Sequence, residues 1–127
     1  MLLHGRRWIL VMGAMLIMTG CGVDRPDSAT WRQSWGQMIA VIPDQEDLGS
    51  PPQPEKCQEI LATVREGTTS LMPAPTNTID DLVAEWVSVA ETAFFECPPR
   101  EHELQSLEDA YAELDRIEES IETALDN

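Results

Sequence analysis

Four side chains stand out by the chemistry they could do: the thiols of Cys21, Cys57 and Cys97 and the imidazole of His102. A thiol can be acylated, oxidised to a disulfide or used as a nucleophile, and an imidazole can move protons near neutral pH. Nucleophilic catalysis also needs an oriented base. His102 lies in Arg100-Glu101-His102-Glu103-Leu104, a charged stretch that reads as an exposed helix start with a solvated histidine. No Cys-x-x-Cys spacing occurs, so the sequence does not point to a redox pair. The His-Glu-x-x-His zinc motif, the inward Glu-x-x-His pair of bundle metal sites and glycine-rich phosphate loops are all missing from the sequence. Asp44-Gln45-Glu46-Asp47-Leu48-Gly49 is acidic, but it lacks the alternating ligands and distal glutamate of a calcium loop. Carboxylates crowd the last quarter of the chain so densely that any chosen pair says little about glycoside chemistry. The reading is therefore not an enzyme, with no catalytic residues, no metal and no cofactor.

Cys21 follows a segment built for export. Arg6 and Arg7 precede any acidic residue, the first carboxylate being Asp24. An apolar run from Trp8 to Met18 follows, broken only by Gly13. A basic start, a short apolar run and small residues before a cut site describe a signal peptide. The run is shorter than the roughly 20 apolar residues that span a bilayer. Met18-Thr19-Gly20-Cys21 resembles the lipobox of bacterial lipoproteins, with Met18 where leucine is commoner. The resemblance covers the first 21 residues only. It implies diacylglycerol on the Cys21 thiol, cleavage before Cys21 and acyl chains holding the protein to membrane lipid. Arg6-Arg7-Trp8-Ile9-Leu10 also resembles a twin-arginine export signal, with Gly5 in place of the usual Ser or Thr. Residues 1–20 are thus expected to be a cleaved lipoprotein signal peptide, and residues 21–27 a lipid-anchored tether.

Removing residues 1–20 leaves 107 of the 127 residues, enough for one small domain. All 23 acidic residues stay, beside six basic ones, for a formal charge of −17. Such a chain is a poor ligand for nucleic acid, since phosphate contacts need Lys and Arg. It is equally ill suited to lying on anionic lipid, so attachment falls to the acyl chains. Outside the cytoplasm an even pair of cysteines reads as a disulfide, and Cys57 and Cys97 are the pair that remains. The bond would close a loop of about 40 residues, worth roughly 4 kcal/mol in the chain-entropy model.

Apolar periodicity then gives the elements over 28–127. Asp27 or Ser28 can cap a first helix whose stripe is Trp31, Trp35, Met38, Ile39 and Ile42, closed by Pro43. Asp44 to Pro54 reads as a linker. A second helix starts near Pro54 with Cys57, Ile60, Leu61, Val64 and Leu71 on one face, and Gly67 is expected to stop or weaken it. Thr68 to Thr76 reads as the turn. Thr78-Ile79-Asp80-Asp81 suggests a capping box for a third helix. Its apolar face holds Ile79, Leu82, Val83, Trp86, Val89, Ala90, Ala93, Phe94 and Cys97, and Pro98-Pro99 ends it. The last helix, from about Arg100 to Ala124, carries the stripe Leu104, Leu107, Tyr111, Leu114, Ile117, Ile121 and Leu125 opposite an acidic face.

The expected fold class is all-α: a small helical bundle of three long helices plus a shorter N-terminal helix. Its central antiparallel hairpin would be tied by the Cys57–Cys97 disulfide, because that pairing joins the start of the second helix to the end of the third. The expected function is a membrane-anchored, extracytoplasmic, non-enzymatic interaction or scaffolding module for an envelope protein. The alternative is a ligand or cation binder that uses Trp31 and Trp35, or the acidic residues Glu108, Glu113, Asp115 and Glu119. Tyr111-Ala112-Glu113-Leu114-Asp115 also resembles the Tyr-x-x-x-Asp/Glu export signal of type VII secretion substrates. Its companion Trp-x-Gly is replaced by Trp35-Gly36, with no spacer and outside the hairpin.

Overall fold

The computed structural model describes residues 24–49, 52–95 and 104–127. These residues are all-helical, with no strand among them. The elements are α1 (Ser28–Ile39), a 3-10 turn (Gln45–Leu48), α2 (Pro54–Leu71), α3 (Asn77–Phe95) and α4 (Leu104–Asp126). Cys21, Cys97, Pro98, Pro99 and His102 lie outside the described residues.

Each boundary has a local cause. Asp27 is the α1 N-cap, its carboxylate accepting the Thr30 N–H at 3.3 Å. Trp31, Trp35 and Met38 turn inward on successive turns. Past Ile39 the chain tightens: Val41 N–H donates to Met38 O at 3.2 Å and Ile42 N–H to Ile39 O at 3.2 Å. Pro54 opens α2 at a position where its missing N–H costs nothing. Met72 is extended before Pro73, as a residue preceding proline must be, and α2 stops there.

Two expectations about this hairpin are corrected. The second helix does not stop at Gly67 but runs on to Leu71, so the turn is shorter than Thr68–Thr76. Gly67 is where α1 lies close to α2: a Cβ there would stand 2.5 Å from Met38 Cε and 2.9 Å from Met38 Sδ. The glycine serves packing between helices. The third helix is capped by Thr76, whose hydroxyl accepts the Ile79 N–H at 3.2 Å, rather than by Thr78. Asp80 instead accepts the Ala74 N–H of the α2–α3 turn at 2.7 Å. The linker also has unforeseen structure, since Leu48 in the 3-10 turn is completely buried.

Side-chain pairings fix the packing. Trp31 sits at Leu71 and Met38 at Gly67, so α1 and α2 are antiparallel. Phe94 meets Tyr111 edge-on at 6.1 Å, and Glu85 meets Arg116 at 2.9 Å, so α3 and α4 are antiparallel. Arg32 reaches Glu122 and Asp126, and the Tyr111 hydroxyl donates to Pro43 O at 2.8 Å, which sets α1 beside α4. The four helices form an up-down-up-down ring. The Trp35–Trp86 contact crosses it diagonally, with ring centres 5.2 Å apart and planes at 73°. Among the described residues twenty apolar ones, from Trp31 to Leu125, make one buried cluster, and no buried residue there is polar or charged.

The two helical glycines test this packing. At Gly36 an added Cβ meets nothing within 4 Å. Gly36→Ala should therefore stabilise the protein by about 1 kcal/mol through helix propensity alone. Gly67→Ala must displace the Met38 side chain and should gain clearly less. Urea unfolding of both variants reads the difference, and an equal gain at both sites would refute the role assigned to Gly67.

Candidate functional site

The residues singled out for surface contact separate into two groups. Trp31 and Trp35 are 3% and 1% exposed, so neither offers a face to a partner. They stack on each other at 5.7 Å with planes 11° apart, and Trp31 Nε1 donates to Leu71 O at 2.8 Å. Their spacing served the core, which the same stripe could not distinguish from an aromatic contact patch. Glu108, Asp115 and Glu119 are exposed on α4, and Glu113 is partly covered.

The acidic face of α4 is an open stretch of surface formed by Asp115, Glu118, Glu119, Glu122, Thr123 and Asp126. Glu118 is half-buried, and burial, reinforced by the neighbouring Asp115 carboxylate, pushes its carboxyl up to about 7. Glu113 is drawn out of this set by Arg116, which holds it at 2.6 Å and keeps it below the usual carboxylate range. The same guanidinium reaches Glu85 at 2.9 Å and so ties α4 to α3. Among the described residues no three His, Cys, Asp or Glu side chains gather so as to hold a metal ion.

Two small hollows lie elsewhere among the described residues. Arg65, Glu91, Thr92 and the exposed Phe95 line one of about 380 Å³ between α2 and α3. A cleft of about 210 Å³ between α1 and α2 is lined in part by Ser34, Met38, Gly67 and Ser70. In the first, the Thr92 hydroxyl donates to Ser88 O at 2.9 Å and Glu91 pairs with Arg65 at 3.3 Å, so neither group engages the other.

A concentrated polar arrangement among the described residues centres on Arg25. Arg25, in the stretch before α1, reaches across to the α2–α3 turn. Its Nη1 donates to Ala74 O at 2.8 Å and to Asp80 Oδ2 at 2.9 Å, and its Nη2 to the Asn77 side-chain oxygen. Asp80 Oδ1 accepts the Ala74 N–H at 2.7 Å. Burial alone would raise the Asp80 carboxyl, but the Ala74 N–H and the Arg25 guanidinium outweigh it and hold the group below its ordinary range. A lone arginine in a polar tether carries no periodicity, so nothing in the sequence marked it.

Cys57 is fully buried in the first turn of α2 and is not without a partner. Among the described residues no helix is long and apolar enough to cross a membrane.

The Glu118 environment sets a pH dependence. Its folded-state pKa lies above the ordinary 4.5, so the unfolded chain gives up this proton first as pH rises. Its contribution therefore lowers stability between about pH 4.5 and 7 and leaves the penalty in place above that. Glu118→Gln should raise the melting temperature at pH 8 and have little effect at pH 4; the same shift at both pH values would contradict the assignment. Compared with known proteins, the chain matches no family model, no curated protein and no solved structure.

Proposed function

We infer that this protein is a lipoprotein, anchored to membrane lipid by acyl chains on Cys21, that displays a non-enzymatic helical interaction or scaffolding module. The module would stand on the extracytoplasmic side of the cell membrane and engage an envelope protein. The observation that carries the reading is the contrast between the two parts of the chain. A lipobox-like sequence precedes a domain whose described interior is wholly apolar, with no buried polar group arranged for chemistry. Its distinguishing features lie on the outside, as a module that works through its surface requires.

The central hairpin fits a Cys57–Cys97 disulfide. The Cys57 side chain is fully buried at the start of α2 and is not without a partner. The α2–α3 register supports Cys97 as its partner. Arg65 of α2 meets Glu91 of α3 at 3.3 Å. Cys57 is eight residues back along α2, and Cys97 is six residues onward from Glu91, so an antiparallel register carries both towards the same level. Cys21 is the poorer partner on reach. It is four residues from Arg25, whose side chain is tied to the opposite end of α2, and those four residues extend about 14 Å at most. Cys57 and Leu71 are 14 residues apart on α2, or about 21 Å along the axis.

A cation binder on the α4 face is the alternative, and no convergence of carboxylates supports it. Cys21→Ser should move the protein from membranes to the soluble fraction; retention in the detergent phase would end the anchor reading. Reduction should lower the melting temperature by on the order of 20 °C, the equivalent of roughly 4 kcal/mol in a domain of this size. An unchanged transition with both thiols open to alkylation would end the disulfide reading.

A further inference from the structure

We propose that this fold has a fixed polarity relative to the lipid surface, with the α2–α3 turn facing the membrane and the 3-10 turn Gln45–Leu48 facing away. The proposal rests on the Cys21 anchor put forward above and adds the orientation of what is anchored. The described chain enters the bundle at one end. Arg25 is held by Ala74, Asn77 and Asp80, all in the α2–α3 turn or the first turn of α3. Six residues on, Trp31 is bonded to the last residue of α2. Arg32 adds the C-terminal end of α4 through Asp126 at 2.9 Å. Three separate contacts thus pin the entry point to the end that carries Met72, Pro73 and Asp126.

The opposite end is equally well defined. Gln53 N–H donates to Leu48 O at 3.0 Å and Lys56 Nζ to Asp47 O at 2.8 Å, so the 3-10 turn sits over the start of α2. The 18 residues of α2 separate the two ends by about 27 Å. A four-residue tether from Cys21 to Arg25 reaches about 14 Å, which is too short to turn the bundle over.

The same length settles an electrostatic difficulty. Asp24, Asp27, Asp81 and Asp126 are exposed at the membrane-facing end and would be repelled by anionic headgroups. At physiological salt the Debye length is about 8 Å, shorter than the extended tether, so the domain can stand off far enough to screen that repulsion. Met72, 42% exposed at the tip of the turn, is the one large apolar side chain described at this end that is open to solvent.

The test uses the full chain, processed in its host, purified in detergent and reconstituted into vesicles of phosphatidylethanolamine and phosphatidylglycerol with nitroxide-labelled headgroups. A fluorophore is placed on Met72→Cys or, at the other end, on Glu46→Cys; Asp81→Cys replaces the first variant if that misfolds. The Met72 or Asp81 label should be quenched several-fold more than the Glu46 label. A long Gly-Ser insertion between Gly22 and Val23 should preserve attachment and abolish the difference. Attachment with equal quenching at both ends of the uninserted protein overturns the orientation alone. Failure to attach overturns the anchor, and the orientation falls with it.

Discussion

Trp35 is held between Trp31, on which it stacks, and Trp86, which it meets in a T-shaped contact, and the placement of α1 depends on that arrangement. A helix of 12 residues is marginal in isolation, because its propagation gains barely exceed the cost of nucleation. What keeps α1 in place is buried area. Two tryptophans removed from water contribute on the order of 5 kcal/mol each at about 25 cal/mol per Å². Against this stand the indole N–H groups of Trp35 and Trp86, which have no hydrogen-bond partner and cost about 1–3 kcal/mol each. Burial wins. Trp31 adds a second gain, since its indole N–H satisfies the Leu71 carbonyl at the end of α2, where helix geometry supplies no partner. Docking α1 closes the ring of four helices and brings the tether to the α2–α3 turn.

The arginines complete the arrangement. On a strongly negative surface, each described arginine bridges two elements: Arg25 to the start of α3, Arg32 from α1 to α4, Arg65 from α2 to α3, and Arg116 from α4 to α3. Exposed pairs of this kind contribute little individually. Their placement matters more than their strength, because each cation sits where carboxylates of neighbouring helices would otherwise repel. Arg25 differs from the rest in that Asp80 is partly shielded and also holds the backbone of the turn.

Apolar spacing made the helices legible. Cys57, Ile60, Leu61, Val64 and Leu71 are buried together as their stripe implies, and so are Ile79, Val83, Trp86, Ala90 and Phe94. The errors arose where a contact between elements overrides a local preference. Gly67 reads as a helix breaker until Met38 is seen filling the space beside it. Asp80 reads as one acidic residue of a helix start until Arg25 arrives from more than 50 positions away in the sequence. Leu48 reads as linker because a single buried leucine leaves no period to detect. For the surface the sequence showed which residues are acidic, but not that Arg116 removes Glu113 from the cluster or that Glu118 is half-covered.

The shape of α4 explains why its acidic face makes a poor cation site despite its charge. A bound cation of the calcium type takes 6–8 oxygens at 2.3–2.6 Å, so its ligands must converge. Carboxylates along one face of a single helix point outward from a convex cylinder and diverge with distance. Convergence requires a second element to supply ligands from the other side, and here the neighbouring helices meet the opposite, apolar face through Leu107, Leu114, Ile117 and Ile121. What the face does produce is an extended negative potential, reinforced where Asp115 stands beside Glu118. Such a field acts on a basic surface over a Debye length without specific coordination. The geometry of α4 therefore suits diffuse attraction of positive charge better than coordination of a metal ion.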